Sequence, residues 1–364
     1  MKIDGVPRRT IWLAEDGESV EVIDQTLLPH ELSTRRLTRL QDAAEAIRSM
    51  VVRGAPLIGA TAAYGLCLQA RVDDSDAALE AAGRLLLDTR PTAVNLRWAV
   101  ERVLSSVRHL GVGDRACAAY ETAAAICEEE VATCESIGAH GLELIRRAWD
   151  AKSEGAPVHV LTHCNAGWLA TVDWGTALAP VYMAHDAGLP VHVWVGETRP
   201  RNQGASLTAW ELARHGVSHT VVTDNAGGHL MQRGDVDLCI TGTDRTLASG
   251  DVFNKVGTYL KALAAHDTGV PFYVAVPGSS IDWATSDAAA VPIEERSAHE
   301  VTHIAGRGPN GSRVEVLLTP EGSQARNHAF DVTPARLVTG LITDRGVCRA
   351  SSDGILGLFP ERGA

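Results

Sequence analysis

A series of short apolar runs in the second half of the chain constrains the fold most. VHVLTHC (158–164), LPVHVWVGE (189–197), SHTVVTD (218–224), VDLCITGTD (236–244), PFYVAVP (271–277) and VEVLLTP (314–320) each have the length of a strand rather than a helix. Stretches of helical character, such as SLTAWELARHG and GTYLKALAAHDTG, lie between several of them. Continuous apolar strands separated by helices predict an α/β fold with a mostly parallel sheet covered on both faces. Ligands of such sheets bind outside the carboxyl ends of the strands. Polar clusters sit at those ends here: His163-Cys164-Asn165, Glu197-Thr198-Arg199, Asp224-Asn225 and Thr243-Asp244-Arg245.

The first half reads differently. TIWLAEDGESVEVIDQTLLP alternates apolar and polar residues around a Gly turn, which predicts a small β-hairpin or meander. From about Glu31 to Arg147 the spacing is helical; Leu40, Ala44, Ile47 and Val51 keep the rhythm of one helix face. SEGAP (153–157) reads as a turn-like linker to the strand-rich half, and the final ERGA as a frayed end. At roughly 100–200 residues per domain, 364 residues suggest two domains, or one large domain with an extension.

Charge and cysteine usage exclude several classes. A formal net charge of −12 argues against a nucleic-acid binder, though one or two placed cations would still hold an anionic substrate. The N-terminal residues lack the apolar core of a signal peptide, and no run approaches the roughly 18 apolar residues of a membrane span, so the expected location is the cytoplasm. Seven cysteines without a C-x-x-C pair argue against a disulfide framework and a zinc ribbon.

Candidate chemistry concentrates in a few segments. Arg53-Gly54-Ala55-Pro56 opens an apolar helix, where backbone N–H groups and a guanidinium can hold an anion; the alternative is a loop and helix start with a surface Arg. Arg90, before Pro91 and a helical run, offers a second anion contact or an ordinary helix boundary. Cys164 is expected at a strand-to-helix turn, where a helix N-terminus would favour its thiolate; the alternative is one more buried cysteine. Arg199, Arg201 and Gln203 offer donors for phosphate or sugar hydroxyls, or form a charged surface loop. Gly227 and Gly228 permit close backbone approach to a ligand, while His229 reads as a surface residue. Asp244, ending a buried run, suits a proton shuttle through a raised pKa; the alternative is a helix cap or an ion pair with Arg245. Lys255 suits a phosphate and Asn254 a hydroxyl. The P-loop, dinucleotide, nucleophile-elbow and H-E-x-x-H templates are absent from the sequence. His163 is no partner for Cys164 by adjacency, because strand neighbours point to opposite faces.

Taken in order, RGAPLIGATAAYG, RPTAVNLRWAV, THCNAGWLAT, GTALAPVY, ETRPRNQGA, DNAGGHLM, GTDR, NKVGTYLKALAA and FDVTP resemble the methylthioribose-1-phosphate isomerases, from Arg53 to Pro334. The wider superfamily includes the regulatory subunits of initiation factor 2B and ribose-1,5-bisphosphate isomerases. The resemblance implies a small, mostly helical N-terminal domain with a β meander over 1–150. A Rossmann-like domain would follow over 151–364, with the site between the two and a homodimeric assembly. It implies catalytic roles for Cys164 and Asp244. Substrate contacts would come from Arg53, Gly54, Ala55, Arg90, Gln203, Asn254 and Lys255. The implied reaction turns 5-methylthioribose 1-phosphate into 5-methylthioribulose 1-phosphate in methionine salvage. It calls for no metal or other cofactor and involves neither nucleic acid nor membrane. Gly196 departs from the aspartate that many bacterial members carry before ETRP. The competing readings are an isomerase of another pentose 1-phosphate (5-deoxyribose 1-phosphate or ribose 1,5-bisphosphate) and a non-enzymatic regulatory subunit.

Overall fold

A computed structural model describes residues 1–90, 93–153 and 155–363. The short hairpin β1 (Lys2–Ile3) and β2 (Val6–Pro7) comes first. β3 (Ile11–Leu13), β4 (Val20–Ile23) and β5 (Thr34–Leu37) then form an antiparallel three-stranded sheet, the expected meander. β5 corrects the sequence reading, which began the helical region near Glu31. In TRRL, Leu37 alone is buried; the segment is an edge strand whose exposed arginines charge the open edge.

Five helices follow: α1 (Leu40–Arg48), α2 (Ala55–Ala70), α3 (Asp76–Leu87), α4 (Val94–Val107) and α5 (Arg115–Asp150). α2 is apolar all round and buried along nearly its whole length, so it forms the middle of this bundle. α5 serves two cores. Ala119, Ala123 and Ile126 pack into the helical bundle, whereas Ile137 and Ile145 pack beneath the large sheet. Pro91 and Thr92 of the RPTA segment, Glu154 of SEGAP and the final Ala364 lie outside the described residues.

The remainder runs β6 (Val158–Thr162), α6 (Ala179–Asp186), β7 (Val191–Gly196), α7 (Ala209–His215), β8 (Ser218–Val222), α8 (Ala226–Gln232) and β9 (Leu238–Thr241). β10 (Arg245–Leu247), β11 (Val252–Lys255), α9 (Thr258–Thr268), β12 (Phe272–Val276), β13 (Ile281–Asp282) and α10 (His299–Thr302) follow. β14 (His303–Arg307), β15 (Arg313–Leu317), β16 (Phe330–Thr333), β17 (Gly340–Thr343), β18 (Gly346–Cys348) and α11 (Ser352–Leu358) complete it.

The large sheet has the order β18-β17-β12-β9-β6-β7-β8 and is parallel except for β18. Its strands alternate between two cores, as a doubly covered sheet requires. Val158, Val160, Val193 and Ile240 face α5 and α6. Leu161, Cys239, Val274 and Leu341 face α8, α9 and α11. Five of the six apolar runs lie in this sheet. The sixth, VEVLLTP, does not: β15 pairs with β14 in a separate antiparallel ribbon with every β15 residue exposed. Charged Arg313 and Glu315 alternate with its valines, and the fully buried GLIT strand β17 takes the place beside β12.

A second sheet, β13-β10-β11-β16, stands beyond the carboxyl end of β9. Chain order reverses between β6 and β9: β7 and β8 lie on one side of β6, and β9, β12 and β17 on the other. That reversal opens a crevice at the strand ends.

Candidate active site

Cys164 leaves the carboxyl end of β6 and Asp244 follows β9, so the two residues stand on either side of the reversal. The strands are tied there by the Thr162 hydroxyl, which donates to the Ile240 carbonyl at 2.8 Å. Cys164 has φ +63°, in the left-handed region that costs a non-glycine residue about 1–3 kcal/mol. The 198–208 loop holds it there. Cys164 N–H donates to Thr198 Oγ1 at 2.8 Å, and Thr208 Oγ1 donates to the Cys164 carbonyl at 2.7 Å. The thiol points to Gln203 Oε1 at 3.4 Å.

Two expectations about this cysteine fail. No helix begins beside it: after a short 3₁₀ turn at Trp168–Ala170, α6 starts only at Ala179. Its thiol is pushed up rather than down. Burial dominates, the charges of Arg53 and Lys255 pull against it, and Asp244 adds to it. His163 is fully buried, with Nε2 2.8 Å from the Val256 carbonyl. Burial lowers its pKa, so the ring is neutral and donates there.

Asp244 has neither a hydrogen bond to its carboxyl nor an ion pair among the described residues, and Arg245 pairs instead with Asp282 at 3.3 Å. The helix-cap and Arg245-pair readings of Asp244 therefore fail. Burial raises its pKa, the cations Lys255, Arg90 and Arg53 oppose that, and Glu294 reinforces it. Lys255 Nζ lies 4.7 Å from the Phe330 ring centre, and burial lowers its pKa. Arg53 donates through Nη1 to Asn165 Oδ1 and through Nη2 to the Asn165 carbonyl at 2.8 Å. Arg90 pairs with Glu294 at 3.3 Å. The Nε atoms of Arg53 and Arg90 are buried without a partner among the described residues.

These groups line one cavity with two lobes, which share Arg53, Gly54, Ala55, Cys164 and Asp244. The outer lobe, about 740 Å³ of open space, adds Arg90, Gln203 and Lys255. The inner lobe, about 430 Å³, reaches Asn254, whose amide donates to Thr258 Oγ1 at 3.0 Å. Asn254 and Lys255 are strand neighbours and so enter different lobes. All nine residues to which the family resemblance pointed line this cavity. The outer lobe also has an apolar lining that includes Met50, Ile58, Phe253, Ile293 and Phe330.

Other expected contacts do not enter the cavity. Arg199 is engaged with the Val301 carbonyl at 2.7 Å, and Arg201 with Glu300 at 2.8 Å. Gly227 and Gly228 lie inside α8, where Gly227 packs on Leu161, and His229 is exposed. Gly196 packs against His163, Lys261 and Asp224 and does not itself line the cavity. Asp224 instead braces the loop, accepting Thr198 N–H and Arg199 N–H at 2.8 Å each.

Sequence reasoning missed the apolar wall, the Asn165 bridge to Arg53 and, behind it, Glu211. Glu211 lies on α7 and is fully buried. Burial pushes it up to about 8, while hydrogen bonds from Leu169 N–H and Asn165 and the charge of Arg53 oppose that. Its one sequence signal is an acidic residue amid SLTAWELARHG, which helical amphipathicity alone places on the wet face.

Gly54 closes the cavity floor and yields a stability prediction. Its φ is +91°, and an added Cβ would run into the Ala170 backbone. Gly54→Ala is expected to cost about 3 kcal/mol or more in urea unfolding, by strain plus clash; an unchanged midpoint would contradict this close packing.

The model of the initiation factor 2 subunit family matches residues 51–350. The methylthioribose-1-phosphate isomerase of Rhodospirillum centenum is 62% identical over 363 residues, covering 100% of this chain and 96% of that one. The solved 5-methylthioribose 1-phosphate isomerase of Pyrococcus horikoshii superposes with a TM-score of 0.82 at 38% identity, over 98% of this chain and 96% of that one. A structure titled translation initiation factor eIF-2B subunit delta, from A. fulgidus, gives 0.81 at 38% identity, over 97% and 100%.

Proposed function

We propose that this chain, which belongs to the initiation factor 2 subunit family, works within it as a methylthioribose-1-phosphate isomerase, an aldose–ketose isomerase of methionine salvage. The observation that carries this reading is a buried cavity in which three cations, Arg53, Arg90 and Lys255, surround an unpartnered carboxyl and a thiol. An excess of buried positive charge calls for an anion such as a sugar phosphate.

The chemistry uses these groups in turn. The phosphate on the anomeric oxygen keeps the sugar from opening to a free aldehyde. Asp244, whose carboxyl burial pushes towards its protonated form, donates to the ring oxygen as the bond from that oxygen to C1 breaks. Hydrogen then moves from C2 to C1 while the C2 hydroxyl gives up its proton to the Asp244 carboxylate. C2 becomes the carbonyl, C1 keeps its phosphate, and Asp244 is protonated again. Cys164 stands at the reacting end as a neutral polar group or proton carrier, and the cations hold the phosphate. The apolar wall takes the methylthio group.

Incubation with candidate sugar 1-phosphates, followed by NMR, tests the reading. Methylthioribose 1-phosphate should yield ketose with kcat/KM at least about a hundredfold above that for ribose 1,5-bisphosphate. The second phosphate would otherwise lie unpaired against the apolar wall. Equal rates on both would reject the methylthio assignment. The second reading, a regulatory subunit, draws on the A. fulgidus structure. Stable assembly with other factor subunits in the absence of isomerase activity would favour it.

We divide the chain at residues 150 and 151, with the site between the two parts, and expect a homodimer, which a light-scattering mass tests. A cytoplasmic location agrees with seven unpaired cysteines.

A further inference from the structure

We propose that Glu211 is a positioning residue for this site: from behind the cavity it orients the Asn165 amide, and through that amide it sets the direction in which Arg53 presents its guanidinium. The inference rests on the reading of Arg53 as an anion contact.

The geometry is a three-residue relay. One Glu211 carboxyl oxygen accepts from Asn165 Nδ2, and the other accepts the Leu169 N–H at 3.2 Å. Asn165 turns both of its carbonyl oxygens to Arg53, one from the side chain and one from the main chain. A carboxamide can be seated two ways round. The reverse seating would put its NH₂ against the guanidinium and its oxygen against the carboxylate, two repulsive contacts in place of two hydrogen bonds. Ionised Glu211, together with Thr208 Oγ1, which also accepts from Asn165 Nδ2 at 3.1 Å, therefore selects the seating that Arg53 needs. The loop is shaped to this carboxyl: Gly167 lies so close that an added Cβ would run into it. Nη1 and Nη2 are engaged by Asn165, Nε is buried without a partner among the described residues, and Arg53 lines the cavity. Neither Glu211 nor its carboxyl lines the cavity, so it acts through Arg53 and not on the substrate.

Glu211→Gln keeps the shape but replaces one acceptor oxygen with an NH₂, which must face either the Asn165 amide or the Leu169 N–H. The probe is inorganic phosphate, titrated calorimetrically at about pH 9, above the Glu211 ionisation at about 8, so that a carboxylate is compared with an amide. E211Q should bind phosphate about tenfold more weakly than wild type. In an Arg53→Met background the same substitution should change affinity less than about twofold, because the relay then has nothing to position. With sugar phosphate, the loss should fall on KM more than on kcat. Wild-type affinity in E211Q would overturn the proposal, as would an equal loss with and without Arg53. Should E211Q fail to fold, Asn165→Ala breaks the relay from its other end and must weaken phosphate binding to a similar degree; unchanged affinity there overturns the proposal too. Failure of the wild type to isomerise methylthioribose 1-phosphate while these phosphate results hold would instead reject the substrate assignment.

Discussion

Asp244→Asn is expected to lower kcat by about 10²–10⁴-fold while changing KM for the sugar phosphate by no more than about threefold, since it removes proton transfer and leaves the phosphate contacts in place. The same variant should melt no lower than wild type at neutral pH. The sign follows from linkage. Burial raises the folded-state pKa of Asp244 above its unfolded value, so the folded protein holds that proton more tightly. The wild type then loses stability as pH rises from the unfolded pKa through the folded one, and the asparagine carries no such penalty. A protein that is as stable as wild type and nearly inactive points to chemistry rather than to folding. The pH profile supplies a second readout. In free enzyme Asp244 acts as an acid, so kcat/KM should fall as pH rises through an ionisation above the ordinary carboxylate range. The phosphate dianion of bound substrate would move that ionisation higher still in kcat. Residual D244N activity should lack this limb. Near wild-type turnover in D244N would reject the assignment.

Cys164→Ser is expected to cost about 10²-fold or more in kcat, again with little change in KM. Serine keeps the backbone contacts to Thr198 and Thr208 that hold φ at +63°, so the fold should survive. What changes is the reacting group: a smaller, less polarizable and less acidic hydroxyl replaces a thiol aimed at Gln203. Burial holds that thiol neutral, which suits a polar stabiliser or proton carrier better than a thiolate nucleophile. Substrate deuterated at C2 and converted in ordinary water distinguishes the two hydrogen routes. Label kept at C1 means direct hydride transfer. Complete washout means an enolate, with a protein group exchanging the proton.

Cys164 and Asp244 were legible because they stand at strand ends, and a buried strand announces itself by local composition. VHVLT and LCIT mark where Cys164 and Asp244 emerge without any knowledge of the other strands. The errors came from segments whose environment is set elsewhere. TRRL is a strand because β4 offers an edge. VEVLLTP is excluded from the large sheet because β17 occupies the position beside β12. Arg199 and Arg201 carry the right chemistry for phosphate but are engaged with Val301 and Glu300, residues roughly a hundred positions away, which no local pattern reveals.

The sequence by itself determined the class of fold, the strand exits and, through an ordered set of motifs, the residues that line the cavity. The tertiary structure alone decided what those groups are chemically. The reversal of strand order between β6 and β9 brings Cys164 and Asp244 to one crevice. Burial there raises both pKa values against the pull of nearby cations, Arg53 and Lys255 on both groups and Arg90 on Asp244 as well, and a buried glutamate is set behind Asn165. Strand propensity is written in a few neighbouring residues. Desolvation and charge proximity depend on groups that the chain brings together from far apart.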